Sequence, residues 1–168
     1  LSLGALGGGL VVVATALAMR PRRTAQAFAW AAIVGYAHVV LGLAVAVQGA
    51  GGEGLIAATL QFLSMIAAVV LGSLAGSPSE ESLSRSGILS AAGRALAWLT
   101  LVGLPPGLGF HGKLLIYRAL MRVGWHGLAL LAMASSAALL IAALWAIRGS
   151  RLAPVRGLRA VVLAAAIA

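Results

Sequence analysis

The only lysine of the chain, Lys113, closes the stretch GLPPGLGFHGK, Gly103 to Lys113, inside a long apolar run. An ammonium in apolar surroundings is expensive, so an intramembrane lysine is by default a functional group, able to release and regain a proton. The plain alternative is a lysine that runs along a helix end to the interface. Three histidines add titratable nitrogens: His38 in GYAHVVLG, His111 two residues before the lysine, and His126 in GWHG. A midmembrane imidazole at His38 can relay protons, ligate haem, or serve structurally through a hydrogen bond. His111 can titrate beside Lys113 or satisfy carbonyls freed nearby, and His126 next to Trp125 suits an interfacial position. Gln61 and Ser64 form one polar turn, suited to bridging helices or holding water. Tyr117, one turn beyond Lys113, can hydrogen-bond it, although the role of an interfacial aromatic suits it better. Glu53, Glu80 and Glu81 all fall between apolar runs, so protons crossing the apolar part would travel on Lys and His.

The run that carries Lys113 extends from Ile88 to Arg122. As one straight helix it would measure about 52 Å, well beyond the roughly 30 Å of a hydrocarbon core. Pro105 and Pro106 remove two backbone donors, and Gly103, Gly107, Gly109 and Gly112 relax the chain further. The helix is expected to break here. Irregular backbone at membrane depth is tolerated only inside protein or along a hydrated cavity, and transporters use such breaks to present carbonyls and amides to ions. Gly107, Gly109 and Gly112 also spell GxGxxG, but no strand precedes them and no acidic residue follows at the required distance, which excludes a dinucleotide site.

The elements that must position these groups follow from composition. Of 168 residues, 62% are hydrophobic and 9% charged, with no cysteine. Such a chain is a membrane protein, and its Ala, Leu, Val and Gly content, without alternation, indicates helices rather than a barrel. Without thiolates it holds no disulfide and no cysteine-ligated iron–sulfur cluster. Apolar runs cover Leu3 to Met19, Ala25 to Val47, Gly54 to Ala75, Ile88 to Arg122 and Gly124 to Ile147, and a further run begins at Ala160. The expected fold is an all-α polytopic transmembrane bundle of five spans plus a truncated sixth, one span being the broken helix. Residues 1–168 read as a single transmembrane domain belonging to a longer chain. The net charge of +9 sits in short connections and sets topology rather than nucleic-acid binding. Arginine counting places Arg20–Arg23, Ser77–Gly87 and Arg148–Arg159 on the cytoplasmic side, against Arg118 and Arg122 on the other. The pairs Gly4/Gly8 and Gly72/Gly76 read as ordinary close helix packing.

Leu99 to Leu120, LTLVGLPPGLGFHGKLLIYRAL, resembles the broken twelfth helix of the antiporter-like proton-pumping subunits of complex I (NADH:quinone oxidoreductase) and of the related multisubunit cation/proton antiporters, with its pattern GLPPLAGFxGK. Arg20 to Tyr36, RPRRTAQAFAWAAIVGY, is similar to the stretch KRLLAYSSIxHxGY between the ninth and tenth helices. The resemblance implies that the chain runs from the ninth helix to the beginning of the fourteenth, that Lys113 is the buried functional lysine, and that the connections assigned above to the cytoplasm do lie there. A lysine at this place favours the N-type subunit or the antiporter D-type subunit over the M-type. The chain departs from the pattern at Ala29, Trp30 and Ile33, where the family has a Ser-Ser pair and a histidine. The fifth, seventh and eighth helices fall outside these residues.

The function expected from this resemblance is proton translocation in the membrane arm of an NADH:quinone oxidoreductase in a bacterial-type inner membrane. Lys113 would carry the proton, with His38 and His111 as relay and Gln61, Ser64 and Tyr117 in support. Partners would be other membrane subunits, lipid and protons, not nucleic acid; cofactors and metals on this chain would be none. The alternatives are a shortened non-conducting paralogue, a cation/proton antiporter subunit, and, from a different class, a di-haem cytochrome pairing His38, His111 and His126.

Overall fold

The structure, a computed structural model, describes residues 2–20, 24–74, 85–105 and 107–149. Arg22, Arg23, Gly76, Glu80, Glu81, Pro106 and the run from Ala160 lie outside the described residues. Among the described residues all regular structure is helical: α1 (Leu3–Ala18), α2 (Thr24–Val47), α3 (Gly51–Leu74), α4 (Arg85–Val102), α5 (Leu108–Arg122) and α6 (His126–Gly149). Among the described residues three stretches are long and apolar enough to cross a membrane, Ala25–Val47, Gly51–Leu74 and His126–Ala146; Leu3–Ala18 and Ala92–Val102 are shorter apolar helices. Large apolar side chains such as Leu6, Val13, Ile56, Phe62 and Leu130 stand exposed on the outside of the bundle, as a lipid-facing surface requires.

Two boundaries depart from the sequence expectation. α3 starts at Gly51, which puts Glu53 in its first turn rather than in a connection; a carboxylate there is favoured by the unpaired amides of a helix start. The break is also narrower than expected. Gly103, Leu104, Pro105 and Gly107 lie between α4 and α5, whereas Gly109 and Gly112 are helical residues of α5. Their lack of a side chain serves packing, since both press against neighbouring backbone.

Small residues let the helices approach closely. A β-carbon at Gly54 would stand 2.6 Å from the Ala46 nitrogen, and one at Gly42 3.2 Å from Ala58 Cα, which locks α2 to α3. Gly4 and Gly8 receive Trp125 and Leu128, the close packing expected of that pair. The buried apolar residues form two clusters. One contains Ala31, Val34, Met65, Trp98, Leu101 and Leu139; the other contains Ala37, Leu41, Ala57, Ile116, Leu120 and Ala132. Among the described side chains α4 contributes to the first and α5 to the second, so the two halves of the broken run serve opposite ends of the bundle. Along α2, α3 and α6 the polar residues His38, Gln61, Ser64 and Ser135 fall at the changeover, where Lys113 joins them.

Candidate functional site

The site begins with arithmetic on the backbone. In a continuous helix the carbonyls of Leu101 and Val102 would accept from the amides of residues 105 and 106, both prolines without an N–H. The structure gives both carbonyls to one side chain: Lys113 Nζ donates to Leu101 O at 3.3 Å and to Val102 O at 2.7 Å. The next carbonyl back, Thr100 O, is also free of backbone. Gly103, in the left-handed region at φ +77°, turns the chain so that the amides of Gly103 and Leu104 both reach Leu99 O, at 3.0 and 3.1 Å. Ser64 Oγ then donates to Thr100 O at 3.3 Å. The carbonyls of Thr100, Leu101 and Val102 are thus each met by a side chain from another element, as buried backbone demands.

Lys113 is 3% exposed, and the break it fills lies against Gln61 and Ser64, near the middle of the 24-residue α3. It therefore does not extend to an interface. Its ammonium has three hydrogens, of which two serve Leu101 and Val102. A neutral amine keeps two, so loss of the third proton leaves both carbonyls satisfied. The charged form is in turn favoured by the negative end of α4, whose last carbonyls point at it. Both states fit the same pocket.

Close packing holds the geometry. A β-carbon at Gly109 would lie 2.5 Å from Ser64 Oγ and 2.7 Å from Thr100 O, and one at Gly112 would lie 2.8 Å from the Gln61 nitrogen. At Gly103 it would stand 3.2 Å from Lys113 Cδ.

His38, near the middle of α2, is fully enclosed; its Nδ1 lies 2.8 Å from Val34 O and its Nε2 has no hydrogen-bond partner. Tyr117 meets the imidazole edge-on, with ring centroids 6.2 Å apart. Gln61 is buried with Oε1 unpartnered. Ser64 bridges α3 to the end of α4. Tyr117 takes neither of the roles considered for it: its hydroxyl pairs with Ser136 Oγ at 2.6 Å and donates to Ala132 O at 3.3 Å, tying α5 to α6. Ser135 and Ser136 were missed by sequence reasoning, although two adjacent hydroxyls inside an apolar run were the available signal.

His111 is not brought to the lysine. Two residues apart on a helix face opposite ways, and His111 is exposed, with Nδ1 3.3 Å from Gly107 O and its ring against Phe110. His126 is also exposed, with Nδ1 3.3 Å from Met121 Sδ. One imidazole is thus inside the bundle and two are on its surface. Among the described residues no cluster of three or more His, Cys, Asp or Glu side chains is placed to hold a metal ion. Glu53 pairs with Arg118 at 3.3 Å and with Arg122, joining the start of α3 to the end of α5.

Comparison of the chain with protein-family models, curated proteins and solved structures finds no match.

Proposed function

We propose that this chain carries protons within a membrane-embedded translocase, with Lys113 as the group that gains and loses the proton. The observation that carries the reading is the hydrogen-bond count at Nζ: two carbonyls take two hydrogens, and the third can leave without exposing a polar group. The resemblance of Leu99 to Leu120 to antiporter-like subunits of NADH:quinone oxidoreductase supplies the setting, in which a redox arm drives the change and this chain performs no redox chemistry. In that setting α4 and α5 together make one crossing, so that α1, α2, α3, the broken pair and α6 cross five times and the run from Ala160 begins a sixth. The arginine-rich connections face the cytoplasm. His38 and Tyr117 continue the polar path toward α6, other membrane subunits surround the bundle, and a cation/proton antiporter subunit would use the same lysine.

A second reading is favoured by the same contacts: Lys113 replaces the two missing proline amides, which is a structural task sufficient for a non-conducting paralogue. Proton uptake into membrane vesicles by the intact parent complex separates the two. With assembly verified on native gels, loss of pumping in Lys113→Ala and Lys113→Arg is the expected result. Normal pumping in both would leave Lys113 as a helix cap alone.

A further inference from the structure

Gly112 packs on the Gln61 nitrogen and Gly109 on Ser64, which sets the start of α5 level with the middle of the 24-residue α3, about 18 Å of helix from either end. His111 therefore stands at mid-depth. It also stands outside the bundle, exposed, with Nδ1 turned back to Gly107 O at 3.3 Å. The break reaches the surface too: Pro105 is exposed, Leu104 and Gly107 are half-buried, and Gly107 offers no side chain to cap the first amides of α5. Irregular backbone at this depth is tolerated only against protein or a hydrated cavity, and an ionisable side chain there ordinarily faces a bundle interior. An imidazole is too short to reach water across half of a hydrocarbon core, about 15 Å. The outside of α5 at this level is thus built to be covered by protein.

The exposed stripe runs along α5 at helical spacing, from Leu108 through His111 and Leu114 to Arg118. We propose that this stripe, with the open break at its head, seats a membrane helix of another subunit that carries an aspartate or glutamate at mid-depth, opposite His111 Nε2. The proposal goes beyond the reading of Lys113 and needs only that the helices span a bilayer. Charge selects the partner. The chain holds 12 Lys and Arg against 3 Asp and Glu. Among the described residues the one acid, Glu53, is held by Arg118 and Arg122, which leaves that end of α5 with an excess positive charge. A second copy of this chain fits poorly: two copies in one orientation pair about an axis along the membrane normal, which lays α5 beside α5 and sets Arg118 against Arg118. A lipid tail leaves the imidazole and the break without polar partners. An acid fits in either form, since a carboxyl donates to Nε2 and a carboxylate accepts from the imidazolium, while Nδ1 keeps Gly107 O. Leu108 and Leu114, exposed on either side of His111, supply apolar contact around the polar pair.

The test places a nitroxide amino acid on the full chain in place of Leu108, Leu114 or Val13. Val13 is exposed on α1, which does not touch α5 among the described residues, and serves as the reference for open lipid. Oxygen collision rates are compared between the chain alone in phosphatidylcholine vesicles and the intact parent complex in the same vesicles. Alone, positions 108 and 114 are expected to match position 13, without the spin–spin broadening that paired copies would give. In the complex the rates at 108 and 114 are expected to fall severalfold. Unchanged rates would mean that lipid covers the stripe, and broadening that a second copy does; either overturns the proposal. The acid is tested by charge. On native gels His111→Glu is expected to cut recovery in the parent complex at least about tenfold relative to His111→Gln, because like charges across an interface are costly, and His111→Lys to retain it. Equal recovery of His111→Glu and His111→Gln also overturns the proposal. Vesicle pumping is read separately: normal pumping in the Lys113 variants defeats the carrier reading and leaves the seat on α5 standing.

Discussion

A buried lysine usually makes its protonation an all-or-nothing matter for the fold, and Lys113 does not, because its amine and ammonium forms both satisfy Leu101 and Val102. Removing the nitrogen is different. Lys113→Met is expected to strand two buried carbonyls, at about 1–3 kcal/mol each, and to lower thermal stability in detergent measurably. Its effect on the fold and its effect on pumping are then separable through Lys113→Arg, which retains donors. Tyr117→Phe breaks the pair with Ser136 and is expected to cost about 0.6–1.7 kcal/mol. Ser136→Ala should cost a similar amount, and the double variant little more than either, since both remove one interaction. Thermal unfolding of the three variants checks this. At this scale the sequence disclosed Lys113 and His38 by residue type alone, because either is anomalous in an apolar run. It did not disclose the partner of Tyr117, which depends on how α5 and α6 pack.

The elements are more legible than their contacts. Apolar runs and connecting glycines, prolines and arginines mark the six helices of the described residues to within a few residues, and the two prolines name in advance the carbonyls that need another donor. What could not be read is which side of α5 faces the break. Helical spacing sets His111 and Lys113 on opposite faces, but only the packing of Gly109 and Gly112 against Thr100 and Gln61 decides which is inside. That packing makes a testable contrast. Gly109→Ala forces a β-carbon against Ser64 and the Thr100 carbonyl, with an expected loss of about 1–3 kcal/mol; Gly9→Ala enters open space and should leave stability unchanged or slightly raised. Pro105→Ala restores the amide that Leu101 O lacks. In that variant α4 is expected to extend and Lys113 to lose a carbonyl, seen as slower hydrogen exchange at residue 105 than at its neighbours.

Across the molecule, a layer of polar side chains separates two apolar clusters, and the ion pairs lie at one end. Arg118 and Arg122 are more than half exposed, so Glu53→Gln should cost under about 1 kcal/mol of thermal stability, because surface pairs contribute little. The division into two clusters also has a mechanical side. α4 belongs to one cluster and α5 to the other, and besides the short turn and the close seat of Gly109 on Thr100 it is Lys113 Nζ, through its bonds to Leu101 O and Val102 O, that ties the end of one helix to the body of the next. Any sliding of one half-bundle past the other therefore stretches those two hydrogen bonds. Linkage makes the relation two-way: the free energy by which a displacement alters proton occupancy equals that by which occupancy biases the displacement. On the proposed reading, strain between the clusters and proton occupancy at Lys113 are two expressions of one coupling free energy.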